Sequence, residues 1–198
     1  MTIHLPIATL ELNCSVTCKK MNEKLYSHGL IQVYTGNGKG KTTAALGLAI
    51  RALGHGAKVH IIFFMKGEFP YGEREILSKL PNLSFQVFGH EHLIDPNNVK
   101  NDEIEQAREA LKASRLALQS SKYDLVIFDE INIASAWKLI DVQDVLELIS
   151  NKPPKVEVVL TGRYADQRII DKADLVTNMD EIKHPYRRGT EARKGIEY

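Results

Sequence analysis

A glycine-rich turn, Thr35-Gly36-Asn37-Gly38-Lys39-Gly40-Lys41-Thr42-Thr43, joins two runs of different hydrophobic period. Before it stands the β-rich run Leu30-Ile31-Gln32-Val33-Tyr34. After it, residues 41–53 repeat apolar side chains at helical spacing until Gly54. Strand, glycine turn and helix in that order predict a phosphate loop. The glycines let successive backbone N–H groups face one anion, the helix N-terminus adds partial positive charge, and Lys41 supplies a full one. Thr42 would offer its hydroxyl to Mg2+. The front of the pattern is altered, because Thr35 stands where a glycine is usual. A dinucleotide-binding turn is excluded, since it requires glycine at the position of Lys41. The expected ligand is a nucleoside triphosphate or something close to it.

Strand and helix signals alternate through the rest of the chain. The run 58–65 (KVHIIFFM) suits a strand buried on both faces of a parallel sheet, and 83–88 is a third candidate strand. Residues 102–120 place Ile104, Ala107, Leu111, Ser114 and Leu118 on one helical stripe. Leu125-Val126-Ile127-Phe128 predicts a fourth strand, 142–149 a helix ending before Pro153-Pro154, 156–160 a strand, 165–173 a helix and Leu175-Val176 a short last strand. The alternation predicts an α/β fold, a three-layer sandwich around a mainly parallel sheet. With 198 residues, the chain reads as an N-terminal arm over 1–29, with a possible helix near 15–26, followed by one domain over 30–198.

Asp129 and Glu130 close the fourth strand, where a phosphate-loop protein carries the carboxylates that hold Mg2+ directly or through water. Glu130 is read as a metal ligand or a base. In open α/β sheets ligands bind at the carboxyl ends of strands, so 67–73, Asp129-Glu130 and Thr161-Gly162-Arg163 should share one rim. Lys66 and Arg163 are read as either site residues or plain loop charges. Arg51 lies ten residues into the first helix, as a solvated charge or a phosphate contact. His90 and His92, with Glu91 and Asp95, are read as a surface pair rather than metal ligands. Trp137 is read as core or an interface anchor. Twenty-six Lys and Arg against 25 Asp and Glu leave a net charge of +1, which lacks the basic excess expected of a nucleic-acid binder. Cys14 and Cys18 have no second pair, so a disulfide framework is not expected. No apolar run is long enough for a membrane span, and the segment 5–12, broken by Pro6 and Glu11, does not read as a signal peptide. The expected location is the cytoplasm.

Taken together, the motifs resemble a known family. TGNGKGKTTAALG at 35–47, RALGHG at 51–56, FMKGEFPYGER at 64–74, VIFDEI at 126–131, LTGR at 160–163 and KHPYRRGTEARKGIEY at 183–198 are similar, in order, to the ATP:cob(I)alamin adenosyltransferases of cobalamin biosynthesis and corrinoid salvage. The resemblance implies a RecA-like P-loop fold and transfer of the 5′-deoxyadenosyl group of ATP to cobalt in its +1 state, with triphosphate leaving. It implies that Gly36, Asn37, Gly38, Lys39, Gly40, Lys41, Thr42 and Thr43 hold phosphates, that Thr42 and Glu130 ligate Mg2+, and that Arg51 and Arg163 reach the nucleotide. It further implies a homodimer and a reductase as electron donor.

One region departs from the family pattern. Bacterial members carry a Phe and a Trp in the loop after the third strand, which wall off the lower face of the corrin. Here that loop reads Phe88-Gly89-His90-Glu91-His92-Leu93-Ile94-Asp95, so Phe88, Leu93 or Ile94 would have to substitute. Two other readings stay open on sequence. A P-loop phosphotransferase or ATPase would release ADP, and a non-enzymatic corrinoid carrier would bind both ligands without turnover.

Overall fold

The computed structural model describes residues 24–198. The two cysteines, the segment 5–12 and most of the helix expected near 15–26 lie outside these residues; Lys24–Tyr26, the end of that span, is not helical. Among the described residues, no helix is long and apolar enough to cross a membrane.

The strands are β1 (Ile31–Thr35), β2 (Val59–Phe63), β3 (Leu83–Val87), β4 (Leu125–Asp129), β5 (Glu157–Thr161) and β6 (Leu175–Asn178). They form one sheet, ordered β3-β2-β4-β5-β1-β6, in which every pair is parallel. The helices are α1 (Lys41–Gly54), α2 (Gly72–Leu77), α3 (Asn101–Gln119), α4 (Ile131–Ala136), α5 (Val142–Ser150) and α6 (Gln167–Lys172), with a 3-10 turn at Pro185–Arg188. α2 and α4 have no counterpart among the helices expected from sequence; each is a six-residue helix directly beside a strand-end loop of the rim.

The continuous apolar runs at the sheet centre follow from covering both faces. Successive side chains of a strand point to opposite sides. Ile61 and Phe63 therefore join Ala45, Ala49 and Ala52 of α1 in one core cluster. Ile62 and Phe64 join Ala107, Leu111 and Leu118 of α3, and Val145 and Leu148 of α5, in the other. The result is three layers. Small alanines at i, i+4 and i+7 let α1 lie close to the sheet, bringing the helix start tight against the strand ends.

Because all strands run in one direction, the loops after them gather on a single rim. β5 separates the phosphate-loop strand β1 from the acidic strand β4, as in RecA-like P-loop folds. The edge strand β6 is exposed along its length and runs to Asn178, two residues further than the sequence suggested.

Candidate active site

The turn 36–40 leaves β1 and delivers Gly40 to the α1 N-terminus, where no acidic residue occupies the first turn. The helix dipole is thus left free to meet an anion. The Gly38 N–H donates to the Met179 carbonyl at 2.6 Å. A Cβ on Gly38 would lie 2.7 Å from that same oxygen, so the chain just beyond β6 braces the turn from behind and only glycine fits. The Lys41 ammonium donates to the carbonyls of Gly36 (2.8 Å) and Gly38 (2.6 Å), curled within its own loop. Burial pushes its pKa down, while the charges of Glu130 and Asp129 work in the opposite sense.

Opposite the turn, the end of β4 is a dense polar network. Asp129 is 1% exposed. Its Oδ1 accepts from the Thr161 hydroxyl of β5 at 2.7 Å, and the same hydroxyl oxygen accepts the Glu130 N–H at 2.9 Å. The Asp129 Oδ2 lies 2.7 Å from the Lys66 ammonium, which approaches off the line of a directed hydrogen bond. Lys66 Nζ also donates to Thr42 Oγ1 at 3.3 Å. Burial works against the Lys66 charge, but Asp129 outweighs it and raises the pKa. Glu130 sits at the start of α4 with φ of 65°, a strained left-handed conformation for a non-glycine residue. Burial, reinforced by the charge of Asp129, raises its pKa, against the pull of Lys66, Lys41 and Arg163. Thr42 Oγ1, Asp129 Oδ2 and the Glu130 carboxylate make a hard-oxygen donor set suited to a small divalent cation.

These groups open into a cavity of about 960 Å³, at the upper end of the range for ligand sites. Its polar wall is Gly38 to Thr43, Lys66, Glu130 and Arg163; its apolar wall includes Leu93, Ile94, Ile133 and Trp137.

The family model for ATP:corrinoid adenosyltransferase BtuR/CobO/CobP matches residues 27–198. The chain is 37% identical over 170 residues to the corrinoid adenosyltransferase of Escherichia coli (strain K12), covering 86% of each chain. It is 35% identical over 190 residues to that of Pseudomonas aeruginosa, covering 96% of this chain and 93% of that one. The chain belongs to the ATP:corrinoid adenosyltransferase family. Among solved structures, the flagellar accessory protein FlaH from Methanocaldococcus jannaschii shares the fold, with a TM-score of 0.50 at 14% identity over 76% of this chain and 71% of that one.

The adenosyltransferase motifs do not all converge. Gly38, Lys39, Gly40, Lys41, Thr42, Thr43, Glu130 and Arg163 line the cavity, whereas Gly36, Asn37, Arg51 and Phe88 do not. Gly36 instead offers its carbonyl to Lys41, and Asn37 is exposed on the turn. Lys39 turns toward the C-terminal tail, donating to the Ile196 carbonyl (2.8 Å) and to Glu197 (2.9 Å). Arg51 is exposed in the last turn of α1, about 15 Å of helix axis from Lys41. Phe88 packs against the α3 side of the core. Its place in the cavity is taken by Leu93, which is 94% exposed, and by Ile94. Trp137 packs partly on that core and also lines the cavity, so it is more than the core or interface residue expected. His90 and His92 stack on each other at 5.3 Å and face Asp102 and Glu103 of α3.

Three contributors escaped the sequence reading. In the sequence Thr161 reads only as part of a rim and Lys66 as either a site residue or a loop charge, and the tail residues Gly195 to Tyr198 line the cavity although only the family resemblance, and no spacing rule, points to them. The signal for Lys66 was its place at the carboxyl end of β2, on the same rim as the acids.

Proposed function

We propose that the two walls of the cavity divide the substrates, the polar wall holding the triphosphate of ATP and the apolar wall receiving the corrinoid. The reaction is adenosyl transfer. Cobalt(I) attacks C5′ of ATP; the Co–C5′ bond forms as the C5′–O5′ bond breaks, the electron pair leaves on triphosphate, and cobalt rises formally from +1 to +3. No proton moves in that step, so no general base is needed. The protein must align nucleophile and leaving group and neutralise charge growing on triphosphate.

The residues are assigned accordingly. Backbone N–H groups of 38–43, the α1 dipole and the Lys41 ammonium receive the phosphates. When bound, Mg2+ supplies further neutralisation of the phosphate oxygens; Thr42, Glu130 and Asp129 would hold it. The buried Asp129 Oδ2, which lacks a well-directed donor, fits such an ion. Arg163 completes the cationic rim. Leu93, Ile94, Ile133 and Trp137 offer the flat apolar face that a corrin macrocycle requires. The observation that carries the reading is this juxtaposition, in one cavity, of a phosphate loop and an apolar wall.

Anaerobic incubation with Mg-ATP and chemically reduced cobalamin tests it. Formation of a light-sensitive cobalt–carbon product with stoichiometric triphosphate is expected; ADP without a spectral change would overturn it. Homodimer assembly and electron delivery by a separate reductase belong to the same reading and rest on family likeness. Sedimentation equilibrium tests the dimer through the mass of the species present.

A further inference from the structure

Lys66 is placed with more structural effort than a loop charge needs. Its side chain is 10% exposed, and its ammonium stands 2.7 Å from Asp129 Oδ2 and 3.3 Å from Thr42 Oγ1. The rings of Tyr71 and Phe63 lie 4.9 Å and 5.4 Å from the same nitrogen. The backbone that delivers it is fixed on both sides. Met65 takes a left-handed φ of 55°. The Lys66 N–H donates to Phe88 O at 3.0 Å. Gly67 packs so closely on the next loop that a Cβ would lie 2.1 Å from His90 O. The Arg74 guanidinium then clamps the turn, donating to the carbonyls of Lys66 (3.0 Å), Gly67 (2.6 Å) and Phe69 (3.2 Å).

The ammonium thus lies between the hydroxyl and the carboxylate that would hold a divalent cation. Asp129 Oδ1 is tied to Thr161, which leaves Oδ2 turned toward whichever cation occupies this gap. Lys66 meets Oδ2 through its terminal ammonium alone, and its four-carbon stem is flexible, so the charge can leave without the loop moving. Two cations cannot share a gap of this width at low cost.

We propose that Lys66 is an exchangeable resident cation: it neutralises Asp129 in the nucleotide-free enzyme, gives up the gap when a divalent cation arrives with the triphosphate, and turns its ammonium onto the leaving group. This rests on the phosphate assignment made above. It gives Lys66 two duties, refusing free metal in the empty site and stabilising triphosphate in the full one. A purely structural lysine would have neither.

Binding of Mn2+ followed by electron paramagnetic resonance tests the first duty, and competition by inorganic triphosphate tests the second. Wild-type protein without nucleotide should hold Mn2+ weakly, and adding triphosphate should tighten it. The Lys66→Met variant should bind Mn2+ alone at least about tenfold more tightly than wild type, and adding Asp129→Asn should abolish that gain. The same Lys66→Met should weaken binding of Mg-triphosphate by about tenfold or more. Melting curves check folding, and Lys66→Gln replaces the methionine if that variant does not fold. Wild type that binds Mn2+ equally well with and without triphosphate would overturn the proposal, as would a Lys66→Met protein with unchanged Mn2+ and triphosphate affinities. A chain that shows the exchange but adenosylates no reduced corrinoid would instead remove the assigned activity and leave the exchange standing.

Discussion

Two walls of one cavity face each other, and they are made differently. On the phosphate side Thr161 ties Asp129 to the backbone of Glu130, Lys66 bridges Asp129 and Thr42, and Met179 braces Gly38. These groups hold one another in a connected buried network. On the other side Leu93 stands almost wholly in solvent, and the stacked His90 and His92 beside it pair with the exposed Asp102 and the buried Glu103 of α3. Removing one member of the first wall strands another, and a stranded buried group costs far more than the lost bond contributed. Truncating Leu93 strands no polar group. That difference makes the phosphate wall the less tolerant of substitution.

The largest effect should come from the first wall. Lys41→Ala removes the buried ammonium of the phosphate turn, and adenosyl transfer should fall by about 10³-fold or more, a loss far beyond the modest drop in melting temperature expected when the Gly36 and Gly38 carbonyls lose their donor. The anaerobic spectral assay reads it, and near-normal turnover would dissolve the phosphate assignment. Thr161→Val comes next. It leaves Asp129 Oδ1 and the Glu130 N–H without partners, so stability should drop by about 1–3 kcal/mol. Denaturant midpoints measure this, and an unshifted midpoint would show that the network is not what holds the first wall.

The same division governs how far the sequence could be read. Period and breaker signals located every strand; the central β2 and β4 are apolar because both faces are covered, whereas the edge strands β3 and β6 are marked by β-rich residues between breakers. That Lys41, Thr42 and Glu130 share one cavity was legible because each follows a strand end on the same rim. Lys66, Thr161 and Met179 were not. Their importance comes from which strands are neighbours, and the order β3-β2-β4-β5-β1-β6 is written in no local pattern. Phe88 misled for the opposite reason. It is the aromatic residue of its loop, but it directly follows β3 and packs toward the core, leaving the cavity to the less conspicuous Leu93.

Leu93 and Phe88 therefore sharpen the comparison from the second wall. Leu93→Ala should leave stability within about 0.5 kcal/mol while raising the KM for the corrinoid and not for ATP. Phe88→Ala should do the reverse, lowering stability by up to about 3 kcal/mol with little change in corrinoid KM among the molecules that remain folded. Paired melting and steady-state measurements decide between them. A corrinoid defect confined to Phe88→Ala would return that residue to the site.

The smallest effect belongs to the C-terminal tail that rests on the phosphate wall. Glu197 receives Lys39 at 2.9 Å, and the adjacent Tyr198 packs edge-on against Phe69 at 5.3 Å, so the chain end is tied to the phosphate turn and to the Lys66 loop together. Hydrogen bonds from Arg193, then from Lys39, hold the Glu197 carboxyl at about 2 rather than its ordinary 4.5. A depressed carboxylate contributes above its ordinary value and is lost as pH falls toward the depressed one. The tie is therefore complete throughout the neutral range. Glu197→Gln should raise the KM for ATP by less than about fivefold, as exposed ion pairs do, and by the same factor at every neutral pH. A penalty that grew or vanished between mildly acidic and mildly basic buffers would mean that another titrating group controls the tail. The tail would then belong with the tightly coupled phosphate wall rather than resting on it.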